Sequence, residues 1–219
     1  MGRLGGYYKL KYFKRCDHLI GNTMGMVDYI GKLGWPESAT HYLPNFVSPK
    51  KSKEVDRATL ATPQDVPLLL GLGRLPPNKA FDVLLESLEM LPGHWLWIAG
   101  TGPEERSLRA RAQELGIEKR VRFLGWSRDV ASLLASADVL VCPSREEPLG
   151  NVIIESWAHE VPVVAAASAG PMELISHEKD GLLCKVDDPV ALADAIIMAD
   201  GEMAARPVSY THLTLPTKA

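Results

Sequence analysis

The chain has 219 residues, 46% of them hydrophobic and 23% charged, with a formal net charge of −3. Such a composition is that of an ordinary globular protein with room for one good core and part of another, and its mild acidity gives no electrostatic case for a nucleic-acid partner. The longest apolar runs are strand-length and no signal-peptide pattern opens the chain, so a cytoplasmic protein without a membrane span is expected.

Residues 1–47 read as a short first part. It has a helix with apolar positions near Tyr8, Tyr12, Phe13 and Cys16, a strand at 18–21, a helix over 24–33 and a strand at 41–43. Two strands cannot bury both faces of a sheet, so this part reads as the end of a domain. Its basic and aromatic opening, residues 7–15, suits either peripheral contact with a membrane or burial in a core. Residues 48–67 are polar, charged and proline-bearing, as an exposed linker would be.

Residues 68–206 are more regularly patterned. Apolar strands at 68–72, 95–99, 121–124, 139–142, 161–166 and 182–186 alternate with helices at 79–90, 104–115, 129–135, 151–159, 172–175 and 189–199. Near-continuous apolar strands alternating with helices predict an α/β domain with a parallel sheet covered on both faces. Ligands of such sheets bind beyond the carboxyl ends of the strands. Residues 207–219 continue neither pattern and read as a non-native tail, translated adapter or vector sequence. Cys16, Cys142 and Cys184 are odd in number, widely spaced and set in apolar runs, which predicts buried reduced thiols.

Four polar or glycine-rich runs fall at carboxyl ends of strands: residues 73–79, 100–104, 125–126 and 145–155. In the last, Glu147 and Glu155 bracket seven residues across a helix start at Gly150 and Asn151. The unpaired N–H groups and positive dipole end of such a start suit a phosphate, with one acid in the loop and the other a turn into the helix. On its own the pair would be a solvated helix start, and Arg74 with Lys79 a surface cation and a helix-start residue. Gly71-Leu72-Gly73 and Gly100-Thr101-Gly102 both lack the third glycine of a dinucleotide fingerprint. Gly100 and Gly102 are expected to permit a tight turn. His94, His159 and His177 have no second ligand at metal spacing, so packing roles are expected of them.

Taken in order, Gly73-Arg74-Leu75 with Lys79, Ile98 to Glu104, Val121 to Trp126, the Glu147 to Glu155 run, Pro162-Val163-Val164 and Gly170-Pro171-Met172-Glu173 resemble the carboxy-terminal domain of the retaining GT-B glycosyltransferases of family four. Residues 1–47 are similar to the end of that family's amino-terminal domain, although Asn22-Thr23 and Pro44-Asn45-Phe46 depart from its commonest pattern, as does Ala80 where a glycine is usual. The resemblance implies a doubly wound, Rossmann-like sheet, nearly complete here, beside a truncated amino-terminal domain. It implies a hexose transferred with retention from a nucleotide-sugar, UDP- or GDP-linked, to a glycan or lipid-linked acceptor of the cell envelope. Gly73, Arg74 and Lys79 would serve the diphosphate, Glu147 the sugar, Glu155 the ribose, Gly150 with the N–H groups of Asn151 and Val152 the distal phosphate, and Gly125 and Trp126 the base. Trp126 could equally be packing. Neither metal nor cofactor is expected, because the cations match the leaving diphosphate. Two further readings stay open: a nucleotide-sugar-binding module without turnover, and a GT-B epimerase. A GT-B phosphorylase would need a pyridoxal lysine, for which no motif is present.

Overall fold

A computed structural model describes residues 10–47 and 52–203. The chain divides into two compact units, Met1–Phe46 and Val47–Ala219. The expectations for Tyr8 and for residues 207–219 lie outside the described residues.

In the first unit the expected opening helix is, over its described part, a 3-10 helix, Leu10–Arg15. Cys16 follows it and is exposed, which corrects the expectation of a buried thiol; among the described residues no layer covers that end of the segment. β1 (Leu19–Gly21) leads through α1 (Met24–Lys32) to β2 (Thr40–Tyr42), which pairs with it in parallel. Thr23 starts α1 by accepting a hydrogen bond from the Met26 amide at 3.0 Å, satisfying one of the orphan donors of the first turn. Asn22 donates to Asn45 at 3.3 Å. Ile20 and Tyr42, on the two strands, are exposed.

The second unit is built on six strands: β3 (Leu68–Leu72), β4 (Trp95–Ala99), β5 (Val121–Gly125), β6 (Val139–Cys142), β7 (Val163–Ala166) and β8 (Leu182–Cys184). All pair in parallel, in the order β5-β4-β3-β6-β7-β8. Helices α2 (Phe81–Glu89), α3 (Glu105–Glu114), α4 (Val130–Ser136), α5 (Asn151–Trp157), α6 (Ala169–Leu174) and α7 (Pro189–Met198) fill the intervals. This is the parallel sheet that the strand pattern predicts, in the doubly wound form that the family resemblance implies.

Strand period explains the two cores. Leu69, Leu96, Ile98, Val139 and Val141 face one way and pack with Phe81, Leu84, Leu88 and Ile196 of α2 and α7. Leu68, Leu70, Leu72, Trp97 and Leu140 face the other way and pack with Leu133, Ile153 and Trp157 of α4 and α5. Because successive side chains leave opposite faces, a strand buried on both faces must be apolar throughout, and β3 has all five residues buried. Gly71 interrupts the row because a Cβ there would lie 2.6 Å from the Phe81 ring; its absence lets α2 close on the sheet.

Residues 52–67, expected as an exposed linker, are partly attached to this unit. Arg57 donates to the carbonyls of Val66 at 2.8 Å and Ser136 at 2.7 Å and to Asp138 at 3.1 Å. Thr62, buried, accepts from the indole N–H of Trp97 at 2.9 Å. The polar composition of the stretch serves fixed hydrogen bonds, a distinction that composition alone does not make.

Candidate functional site

The chain order reverses at β3. From there the sheet grows outward through β4 and β5, then returns to place β6 on the other side of β3. The helices after β3 and β6 pack on opposite faces of the sheet, so the carboxyl ends of these two strands form the switch point beyond which ligands of such sheets bind. Arg74 and Lys79 lie on the loop after β3, Glu147 and Glu155 on the loop and helix after β6.

The β3 loop leaves the sheet through Gly73, at φ +143°. Arg74 is exposed, and its guanidinium makes no hydrogen bond or salt bridge with the described residues. Leu75 is fully buried and anchors the loop. A 3-10 turn, Pro77–Lys79, then ends at Ala80, which is left-handed at φ +52°. Glycine is favoured at such a backbone angle, which gives the physical reason why glycine is usual at this position and makes Ala80 a strained departure from it.

Lys79 pairs with Glu147, joining the two loops. Its side chain is 21% exposed and that of Glu147 10%, so the pair is largely removed from water. Ser144 lies at 3.5 Å from the same carboxylate oxygen. The β6 loop is pinned by main-chain contacts: Arg145 N–H donates to Asn78 O at 2.9 Å, Asn78 Nδ2 to Glu146 O at 3.2 Å, and Gly170 N–H to Glu147 O at 2.7 Å. A Cβ at Gly170 would lie 2.5 Å from Leu149 O, so only glycine lets the loop after β7 come this close.

Gly150 occupies the residue before α5 at φ +91°. Asn151 and Val152 open the helix, the former exposed and the latter half-buried. Glu155, one turn on, is half-buried, and its carboxylate makes no hydrogen bond or salt bridge with the described residues. Burial raises its carboxyl pKa, against the opposing influence of His159. A carboxylate so placed lacks the donors that would stabilise its charge.

The neighbouring loops are fitted tightly. A Cβ at Gly100 would lie 1.7 Å from Gly73 O, and one at Gly102 2.6 Å from Leu75 N. These glycines bring the β4 loop against the β3 loop; that closeness is what the expected tight turn achieves. Gly100 N–H donates to Gly125 O at 2.7 Å, and Gly125, at φ +68°, ends β5. Trp126 is 66% exposed, with the Arg128 guanidinium 5.5 Å from its ring centroid, so it is not a core residue.

Among the histidines, His159 Nδ1 lies 2.8 Å from Glu155 O and His177 Nδ1 accepts from Leu183 N–H at 3.0 Å. Arg145, Asn78 and Ser144 were not singled out in the sequence. Only the position of Arg145 and Ser144 beside Glu147 could have marked them, since Asn78 lies 68 residues from its partner Glu146. A cavity of about 340 Å³ opens beside these loops, lined by Pro76, Asp82, Glu86, Glu104, Arg111 and Arg145. Asp82 and Glu86 are paired there with Arg145 and Arg111. It therefore differs from the switch point, where the Arg74 guanidinium and the Glu155 carboxylate are unmatched among the described residues.

Residues 52–212 match the family model described as glycosyl transferases group 1. The chain belongs to that family. Within it, the chain is 39% identical over 218 residues to the lipopolysaccharide core biosynthesis glycosyltransferase LpsE of Rhizobium meliloti (strain 1021), covering 98% of this chain and 64% of that protein. It is 35% identical over 197 residues to LpsD of the same organism, also a lipopolysaccharide core biosynthesis glycosyltransferase, covering 90% and 57%. The crystal structure of Anabaena HepE in complex with UDP and glucose has the same fold, with a TM-score of 0.77 at 24% identity over 88% of this chain and 56% of that one. The chain spans less than two thirds of the length of these three proteins. For a group 1 glycosyl transferase the switch-point loops are therefore the candidate site, and among the described residues no helix is long and apolar enough to cross a membrane.

Proposed function

We propose that residues 68–206 form the nucleotide-sugar-binding part of a retaining glycosyltransferase of lipopolysaccharide core or related cell-envelope synthesis. Residues 1–47 would be the end of its acceptor-binding domain. The observation that carries the reading is the pair of charges at the switch point that are unmatched among the described residues: the exposed Arg74 guanidinium after β3 and the half-buried Glu155 carboxylate on the helix after β6. A nucleoside diphosphate supplies both complements, phosphate oxygens for the cation and ribose hydroxyls for the acid. The HepE complex with UDP and glucose and the names of LpsE and LpsD support the ligand class and the pathway.

In this reading the diphosphate lies between the β3 loop and the start of α5. Arg74 offers a planar fork. Lys79 has three N–H donors, so it can keep Glu147 and still meet a phosphate oxygen. Glu147, held in place by that ammonium, accepts hydrogen bonds from the sugar hydroxyls. The N–H groups of Asn151 and Val152, beyond the tight turn at Gly150, face the distal phosphate, and the base packs near Gly125 and Trp126. As the glycosidic bond breaks, negative charge grows on the diphosphate beside two fixed cations, which is where preorganised charge lowers a barrier. No side chain is assigned as a nucleophile; the acceptor hydroxyl attacks from the face the diphosphate leaves and passes its proton to the departing phosphate oxygen, giving retention. The cations do this work with no metal or cofactor called upon.

Calorimetric titration with UDP, GDP and ADP, beside Arg74→Ala and Glu155→Ala, tests the reading. Micromolar binding of one nucleotide, weakened about tenfold (about 1.4 kcal/mol) in each variant, is expected. No binding by the folded chain would refute the donor site. A second reading, binding without turnover, follows from the chain spanning 64% of LpsE; product formation with an added acceptor would exclude it.

A further inference from the structure

Arg145 has no role in the donor site drawn above, yet its guanidinium ties three segments together. Nη1 donates to Pro77 O at 2.7 Å and Asp82 Oδ1 at 3.0 Å, Nη2 to Asp82 Oδ2 at 2.7 Å, and Nε lies 2.5 Å from Asp187 Oδ1. Asp82 stands in the first turn of α2, directly after the Lys79 turn. Asp187 lies between β8 and α7 in left-handed backbone, at φ +57°. The main chain of the same residue is held too, since its N–H donates to Asn78 O. Two residues further on, Glu147 meets Lys79.

We propose that Arg145 is a positioning residue: through Asp82 and Asp187 it clasps the Glu147 loop to the Lys79 turn, without itself contacting the ligand. The inference rests on the donor-site reading above, because it is that site whose geometry the clasp sets. Two carboxylates already share the guanidinium, and the fork to Asp82 is bidentate, the geometry in which arginine binds a carboxylate most strongly. A phosphate would have to displace one of them, whereas Arg74 needs no such exchange. The arrangement also explains why arginine is needed here: a lysine ammonium could reach one carboxylate as a point charge but could not present parallel N–H groups to Asp82 while meeting Asp187 and Pro77 O. Burial works to raise the Asp82 carboxyl pKa, but hydrogen bonds and charge from Arg145 hold it below its ordinary value, as a tightly engaged pair requires.

The test combines amide hydrogen exchange across residues 145–150 with UDP titration, on the full chain and on Arg145→Ala, Arg145→Lys and Asp187→Asn. A clasp predicts at least tenfold faster exchange of that segment in Arg145→Ala while β3 and β6 keep their protection. UDP affinity should fall about tenfold in Arg145→Ala, with only partial recovery in Arg145→Lys. Asp187→Asn supplies a sign test: loosening the clasp should weaken UDP about threefold, whereas freeing a ligand-binding cation would tighten it. Tighter binding in Asp187→Asn, or unchanged exchange in Arg145→Ala, would overturn the proposal. If the wild-type chain binds none of UDP, GDP and ADP, the donor-site reading fails and the exchange result alone decides whether Arg145 holds the loop.

Discussion

Gly100→Ala is expected to be the most damaging single-methyl addition at the site. The new Cβ would lie 1.7 Å from Gly73 O, where a carbon and a carbonyl oxygen normally stay about 3.3–3.6 Å apart. The β4 and β3 loops must therefore separate by more than an atom's radius. Three main-chain bonds hold that junction: Gly73 N to Ala99 O (3.1 Å), Leu75 N to Thr101 O (3.1 Å) and Glu104 N to Leu75 O (3.0 Å). Losing two of them costs about 2 kcal/mol. An L-residue at the φ of +149° found here adds about 1–3 kcal/mol. The sum, about 3–5 kcal/mol, corresponds to a melting-temperature fall of roughly 6–20 °C for a chain of this size. Circular dichroism melts of Gly100→Ala beside Gly116→Ala provide the comparison. Gly116 shares a positive φ, +67°, but a Cβ there has nothing within 4 Å, so its backbone strain of about 1 kcal/mol acts alone and the fall should be about 2–4 °C. If Gly100→Ala melts no lower than Gly116→Ala, the close-approach argument is wrong.

Glu155→Gln should raise the melting temperature at pH 8 and leave it unchanged at pH 4. Burial raises the folded carboxyl pKa above its unfolded value of about 4.3, so the folded state carries a penalty once the group ionises, and that penalty disappears as pH falls below the unfolded value. A lower melt for the variant at pH 8 would contradict it. Lys79→Met strands a 10% exposed carboxylate and is expected to cost about 3 kcal/mol in urea unfolding. Arg74→Met, at an exposed and unpaired site, should change stability by less than about 0.5 kcal/mol; equal losses in the two would count against the pairing. Ala80→Gly removes left-handed strain of about 1–2 kcal/mol and about 0.8 kcal/mol of methyl burial. The net gain is about 0.5 kcal/mol, and a urea midpoint showing a loss above about 1 kcal/mol would overturn it.

Secondary structure was largely legible because the strands of the second unit are near-continuously apolar, Arg122 in β5 being the exception, and each interval is long enough for a helix. Boundaries moved where caps decide them: α7 ends at Met198 in place of 199, and α6 begins at Ala169 in place of 172. The Glu147 to Glu155 spacing correctly put one acid in a loop and the other on a helix, since Gly150 marks the start locally. Cys16 misled because an apolar run reads as burial only where another layer covers it, and no pattern along the chain reports that layer. Residues 52–67 misled in the opposite sense, for Arg57 and Thr62 look solvated in sequence while they bond to groups as distant as Ser136 and Trp97.

Sequence alone determined that this chain forms a parallel sheet covered on both faces, since near-continuously apolar strands must be covered on both to leave water; the doubly wound arrangement was implied by the family resemblance. It also determined that the site residues lie at carboxyl ends of strands, because the polar and glycine-rich runs follow the strands they end. Only the tertiary structure decided that β6 lies beside β3, that Lys79 therefore meets Glu147 across 68 residues, and that Arg145 binds Asp82 and Asp187. Strand order is set by how whole helices cover the two sheet faces, and a side-chain pair between distant loops leaves no periodicity in the chain that carries it.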